Sequence, residues 1–238
     1  MPITSIRREG SVAVLTLDDG KANAFGPAEF QALRDGLREV EATDASALVL
    51  AGRAGFFSAG LNLKLLPTLE VSALQALVKL FGETIFELFL FPRPVVAAVG
   101  GHALGAGAMF ALAADVRLAA EGTFKLGLNE VPAGLFVPTF GIELVRAAAS
   151  PHLWTRMLVH GATLPPAEAH AERLYESLHA PEALLAAAVT RAAALGELHG
   201  TGYAYTKQLV RGPHVAVAKA NLGEEISRLG ASLSGKKA

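Results

Sequence analysis

The chain has 238 residues, with 21 Lys and Arg set against 22 Asp and Glu for a net charge of −1. That balance argues against nucleic acid as a partner, because phosphate binding needs a clear local excess of Lys and Arg. Cysteine is absent, which removes disulfides, thiolate metal sites and a cysteine nucleophile, and the 52% hydrophobic content is enough to build a substantial core.

The start, MPITSIRREG, resembles neither a signal peptide nor a transit peptide, so a cytoplasmic location is expected. A weak strand from Ile3 to Arg7 precedes a clear one from Val12 to Leu17, where VAVLTL alternates. After the turn at Asp18, Asp19 and Gly20, Pro27 signals a helix start. Phe30, Leu33, Leu37 and Val40 share its apolar face. The run ALVLA from Ala47 to Ala51 reads as a strand buried on both faces, and the loop GRAGFFSAG follows. A helix from about Val71 to Phe91 ends at Pro92, and VVAAV forms a second buried strand. A Gly-rich turn then leads to a helix from Ala108 to Ala114 and a short strand, VRLAA.

Val95 to Ala114 carries no formal charge, but Gly100, Gly101, Gly105 and Gly107 weaken any membrane helix there. A strand, a turn and a core helix are expected instead, in a soluble protein. Strands alternating with helices predict an α/β fold. From Phe140 onward the signals are almost wholly helical, with Gly212 and Pro213 as an expected break and the tail SGKKA as a frayed end. The expected division is a core over residues 1–140 and a helical appendage over 141–238.

Two Gly-rich segments each follow a buried strand: Phe57 to Leu63 (FSAGLNL) and Gly101 to Gly107 (GHALGAG). Small residues let a ligand approach the backbone, and a helix start leaves its first N–H groups unpaired. Side by side, two such turns could bind an oxygen that becomes negative during a reaction. Taken singly, either is better explained by tight packing of strand on helix.

In order and context the segments say more. LVLAGRAGFFSAGLNL, PVVAAVGGHALGAGAMFALAADVRLAA and FKLGLNEVPAGL resemble, in sequence order and at compatible spacing, the three signatures of the crotonase (enoyl-CoA hydratase/isomerase) superfamily. The resemblance runs from about Ser11 to Leu144. It implies a spiral of repeated ββα turns with a C-terminal helical trimerisation region, hence a homotrimer or dimer of trimers. It also implies an acyl-CoA thioester substrate, with coenzyme A part of that substrate and no separate cofactor or metal.

Carried over by position, the resemblance makes Leu61 and Ala106 the two oxyanion N–H donors. Ala106 stands where the family usually has glycine, and its donor survives if its φ is negative. Lys21, Ala22, Ala24, Ala59, Gly60, Asn62, Leu63 and Lys64 match positions around the coenzyme A moiety and the thioester. Typical hydratases of the superfamily have two glutamates; this chain has Met109 at the first position and Glu130, within GLNE, at the second. Hydration benefits from two groups around a water, whereas shifting a double bond from C3–C4 to C2–C3 needs one base.

The resemblance is therefore closest to the Δ3,Δ2-enoyl-CoA isomerase branch, with Glu130 as proton shuttle, Asn129 positioning Glu130 or contacting the thioester, and Met109 as pocket wall. Hydration, thioester hydrolysis, decarboxylation and a catalytically silent CoA-binding scaffold are the alternatives. Val137 to Gly141 (VPTFG) departs from the family's GxGGT-like stretch. Glu143 is expected to face solvent or pair with Arg146, and His102 to be packed or hydrogen-bonded. Trp154 and Tyr203 read as core or rim, and the remaining histidines show no metal-ligand spacing.

Overall fold

A computed structural model describes residues 3–234. Strands β1 (Thr4–Glu9) and β2 (Val12–Leu17) form an antiparallel hairpin. Helix α1 (Pro27–Glu41) follows β3 (Ala24–Phe25), and the Gly26 amide at its start is held by the Glu29 carboxylate at 2.8 Å. Next come β4 (Ala47–Ala51), β5 (Gly55–Ser58), β6 (Gly60–Leu61) and α2 (Val71–Phe89). The unit then repeats as β7 (Val95–Val99), β8 (Gly101–Leu104) and α3 (Ala106–Ala113), followed by β9 (Val116–Ala120) and β10 (Leu126–Gly127). The C-terminal region holds α4 (Thr139–Ala148), α5 (Pro166–Ala171), β11 (Ser177–His179), α6 (Leu184–Gly196) and α7 (Gly200–Ser234).

The strands assemble into a six-stranded sheet of order β1-β2-β4-β7-β9-β11, parallel apart from β1, a three-stranded parallel sheet β10-β8-β5, and the pair β3-β6. Each turn of the spiral leaves the large sheet and enters the small one: β4 leads to β5, and β7 leads to β8. The uncharged stretch from Val95 to Ala114 is therefore strand, strand and core helix. Among the described residues, no helix is long and apolar enough to cross a membrane.

The continuous apolar strands are explained by burial on both faces. Leu15, Leu48, Leu50, Val95 and Ala97 point into the main core with α1, α2 and α3. Their neighbours Val14, Val49, Val96 and Ala98 point the other way, against Leu184, Ala188 and Ala192 of α6. A run of rings fills the middle of the main core. Phe25 lies 4.8 Å from both Phe30 and Phe110, and Phe30 lies 4.9 Å from Phe81. Phe81 meets Phe140 edge-on at 4.8 Å.

Two local expectations are corrected. The C-terminal region is helical but also supplies β11, which pairs with β9 and extends the large sheet; three residues are too short for a period to show. Gly212 and Pro213 do not break the helix, because α7 runs through them. Pro213 is exposed, and the carbonyl it leaves unpaired belongs to exposed Leu209, where water can serve it. Just upstream, α7 is clamped. Lys207 bonds to Asp115 at 2.7 Å, and Arg211 pairs with Asp115 at 3.0 Å and bonds to the carbonyls of Phe89 and Ala113.

Candidate active site

One side of the site rests on a loop tied down by a buried asparagine. Asn23 adopts φ +50, a conformation its short polar side chain tolerates. Its amide donates to the carbonyls of Leu17 (2.9 Å) and Phe57 (3.1 Å), and its Oδ1 accepts from the Asp19 amide. Ser58 completes the junction: its hydroxyl donates to the Asn23 carbonyl at 2.7 Å and accepts from the Gly60 amide at 3.0 Å. The backbone of Ala22, Ala24 and Phe25 is thereby docked on Ala59 to Asn62, with Ala59 N–H to Ala22 O and Asn62 N–H to Phe25 O both at 2.9 Å. Replacing Asn23 by Ala should lower unfolding free energy by about 2–4 kcal/mol, since it strands buried carbonyls and leaves Ala at positive φ. Chemical denaturation checks this.

The same strand carries the first candidate donor. Neighbouring amides in an extended strand point to opposite sides, and Asn62 points to β3, so the Leu61 amide faces away from β3. On that other side stands the start of α3. Gly60, at φ +90, lies so close that a Cβ there would come within 2.6 Å of the Leu104 carbonyl and 3.3 Å of the Ala106 amide nitrogen. Ala106 opens α3 with ordinary helical backbone, so its negative φ leaves the N–H among the unpaired donors of the first turn. Leu61 and Ala106 line one cleft together with Ala59, Gly60, Leu63, Gly105, Asn129, Glu130 and Leu135.

Glu130 reaches this cleft from the loop after β10. Gly105, at φ +51, leaves room for it: a Cβ there would lie 3.2 Å from Glu130 Oε1 and 3.5 Å from Asn129 Oδ1. Glu130 is only 8% exposed, and among the described residues no donor reaches its Oε2. Desolvation pushes its pKa up to about 7, partly offset by its own backbone amide. A carboxylate so placed is a proton acceptor close to neutrality, beside two amides able to hold an oxyanion.

Below the cleft lies a cavity of about 70 Å³, sharing Leu61, Glu130 and Leu135 with it. That is well above the ~10–15 Å³ a single water needs. Leu66, Leu74, Leu77, Val78, Phe81, Phe136, Pro138 and Phe140 make the walls, and α7 adds Glu225. Local patterns gave no sign of these residues, because helices far apart in sequence supply them. Met109 does not form the wall. It is fully buried one layer behind, where Gly141 leaves space for it: a Cβ at Gly141 would come within 2.8 Å of the Met109 methyl.

The other expected residues fall as follows. Lys21 and Lys64 are exposed on the segments flanking the cleft, and neither forms an ion pair among the described residues. The Lys21 carbonyl accepts a hydrogen bond from Arg53, which pairs with Asp18. Asn62 is half-buried, and Leu63 is 51% exposed at the cleft mouth. Glu143 pairs with Arg146 at 2.9 Å as expected, yet it is buried and also meets His214 at 2.6 Å, away from the cleft. His102 is packed between Phe56 and Phe124. Trp154 is half-buried under Arg146.

Comparison with known proteins gives the family and the fold. The family model described as enoyl-CoA hydratase/isomerase matches residues 7–226. A protein of Mycobacterium tuberculosis named as a probable enoyl-CoA hydratase is 28% identical over 217 residues, covering 91% of this chain and 77% of its own length. The 2,3-dehydroadipyl-CoA hydratase of Escherichia coli is 28% identical over 223 residues, covering 92% and 86%. Among solved structures, an enoyl-CoA isomerase of M. tuberculosis superposes with a TM-score of 0.89 at 28% identity, covering 95% of this chain and 98% of its own.

Proposed function

The chain belongs to the enoyl-CoA hydratase/isomerase family, and from that premise we propose that it is a Δ3,Δ2-enoyl-CoA isomerase. The thioester oxygen of a 3-enoyl-CoA accepts hydrogen bonds from the Leu61 and Ala106 amides. Glu130, as carboxylate, removes a proton from C2, and the electron pair spreads over the thioester and the C3–C4 bond as a dienolate. The carboxylic acid so formed returns its proton to C4, leaving the double bond between C2 and C3 and Glu130 ionised again. The amides stabilise charge only while it exists, which favours the transition state over the ground state.

The carrying observation is that, among the described residues, Glu130 beside Gly105 is the one carboxylate lining the cleft, with Met109 rather than an acid on α3. In the same proposal Lys21 and Lys64, exposed on the segments flanking the cleft, meet the coenzyme A phosphates, and Ala22, Ala24, Ala59 and Asn62 border the coenzyme. Asn129 buttresses the loop that carries the base, its carbonyl accepting from the Ala133 amide at 3.2 Å. A homotrimer belongs to the same proposal, since α7 leaves Tyr205, Leu209 and Val210 exposed.

Hydration is the second reading, favoured by the hydratase names of the relatives. Incubation with 3-enoyl-CoA and 2-enoyl-CoA separates the two by following the conjugated thioester chromophore. Isomerisation predicts its gain from the first, and hydration its loss from the second.

The pH profile is a further check. Glu130 must be ionised in the free enzyme, and its pKa is raised to about 7. The value of kcat/KM should therefore be flat above that pH and fall tenfold per unit below it. A profile flat down to pH 5 would show that a different group takes the proton.

A further inference from the structure

The cavity beneath the cleft has a polar end. It shares Leu61, Glu130 and Leu135 with the cleft at one side. At the other it shares Phe136 and Glu225 with an open hollow bordered by Asn221, Glu224 and Arg228. An acyl chain entering from Glu130 would run between leucine and phenylalanine side chains and arrive at the Glu225 carboxylate. Glu225 is held there from α4: its Oε1 accepts from both the amide (2.8 Å) and the hydroxyl (2.5 Å) of Thr139.

Glu225 Oε2 is buried, and among the described residues no donor reaches it. The nearby guanidinium of Arg228 is instead engaged by Glu224, at 2.6 Å. A carboxylate oxygen removed from water and left without a donor is costly. In a cavity lined, apart from Glu130 at its other end, by hydrocarbon, it favours any occupant that brings a hydrogen-bond donor to that point. It equally disfavours one that brings a second acceptor or a negative charge.

We propose that Glu225 is a specificity-determining residue that selects acyl chains bearing a hydroxyl near their distal end, with that hydroxyl donating to Glu225 Oε2. This rests on the acyl-CoA reading of the site but not on whether isomerisation or hydration follows. Plain alkyl chains would fit the same cavity but leave Oε2 unmatched, and chains with a distal ketone or carboxylate would oppose it.

Calorimetric binding of saturated acyl-CoAs tests this without requiring turnover. The probes are chains of equal length carrying, at successive distal carbons, a hydroxyl, a ketone or no substituent. The wild-type protein should bind the best hydroxy chain about tenfold or more tightly than the plain chain, and tighter still than the ketone, the range of a hydrogen bond to a charged group. In Glu225→Gln the amide oxygen can keep its bonds to Thr139, and the amide nitrogen then stands where Oε2 was. That replaces an acceptor with a donor, so the preference for hydroxyl over ketone should vanish or invert. Thermal unfolding of the variant confirms that the fold is kept. Equal affinity for all three chains in the wild type, or an unchanged preference in Glu225→Gln, overturns the proposal. Failure to bind any acyl-CoA would instead overturn the reading of the site itself.

Discussion

Replacing Glu130 with glutamine should lower kcat/KM for double-bond migration by about 10²–10⁴-fold while leaving acyl-CoA affinity within a few-fold. Gln has the shape of Glu and can fill the same space beside Gly105, but it cannot accept and return a proton. On the proposed reading, binding rests on other parts of the site, namely the cleft amides and the apolar cavity. Loss of kcat with KM little changed is therefore the expected signature.

Stability supplies an independent readout. Burial raises the Glu130 pKa from 4.5 to about 7 in the folded protein, so the folded state binds the proton more tightly than the unfolded one. The favourable contribution of the protonated group is present below pH 4.5 and is lost as pH rises towards 7, a swing of about 3 kcal/mol. Glutamine does not titrate. The difference in Tm, variant minus wild type, should accordingly become more positive between pH 5 and pH 8. A variant that kept full turnover would place the base elsewhere. A Tm difference independent of pH would show that Glu130 is not desolvated.

Val49 and Val96 and their neighbours in ALVLA and VVAAV announced strands buried on two faces, which have no room for polar residues, whereas the alternation of VAVLTL did not show that Val14 is also covered. Glu130 stood out only through the resemblance of FKLGLNEVPAGL to a family signature, whereas the glycine-rich segments are legible because backbone approach demands small residues at fixed places, and Gly60 and Gly105 do sit where a Cβ would meet the neighbouring backbone or the base. Asn23 carries no local signal, although it lies between Ala22 and Ala24. Its importance depends on a positive φ and on the Phe57 carbonyl, neither visible in DDGKANAF. Met109 was assigned one layer too far forward, since its position depends on Gly141 making space behind the wall. Glu225 had no local signal at all. It reaches the cavity only because α7 continues past Pro213 and packs on α2 and α4.

Gly60→Ala should lower kcat by about 10²–10³-fold, the effect expected when one oxyanion donor is lost. Two independent constraints act at that position. At φ +90 an L-residue is strained, and a Cβ would stand 2.6 Å from the Leu104 carbonyl and 3.3 Å from the Ala106 nitrogen. These are backbone atoms that cannot swing aside, so the strand carrying Leu61 must move away from the start of α3. That separates the two amides which need to converge on one oxygen. The strain alone can be measured at Gly10, which has φ +60 in the β1–β2 turn and nothing within 4 Å of the place a Cβ would occupy. Gly10→Ala should cost about 1–2 kcal/mol of stability and leave kcat unchanged when assayed well below its Tm. Gly60→Ala, assayed at the same distance below its own Tm, should lose turnover far beyond that control. If both variants retained wild-type kcat, the close approach of the two backbone segments would have no part in catalysis, and charge on the thioester oxygen would have to be met by other donors.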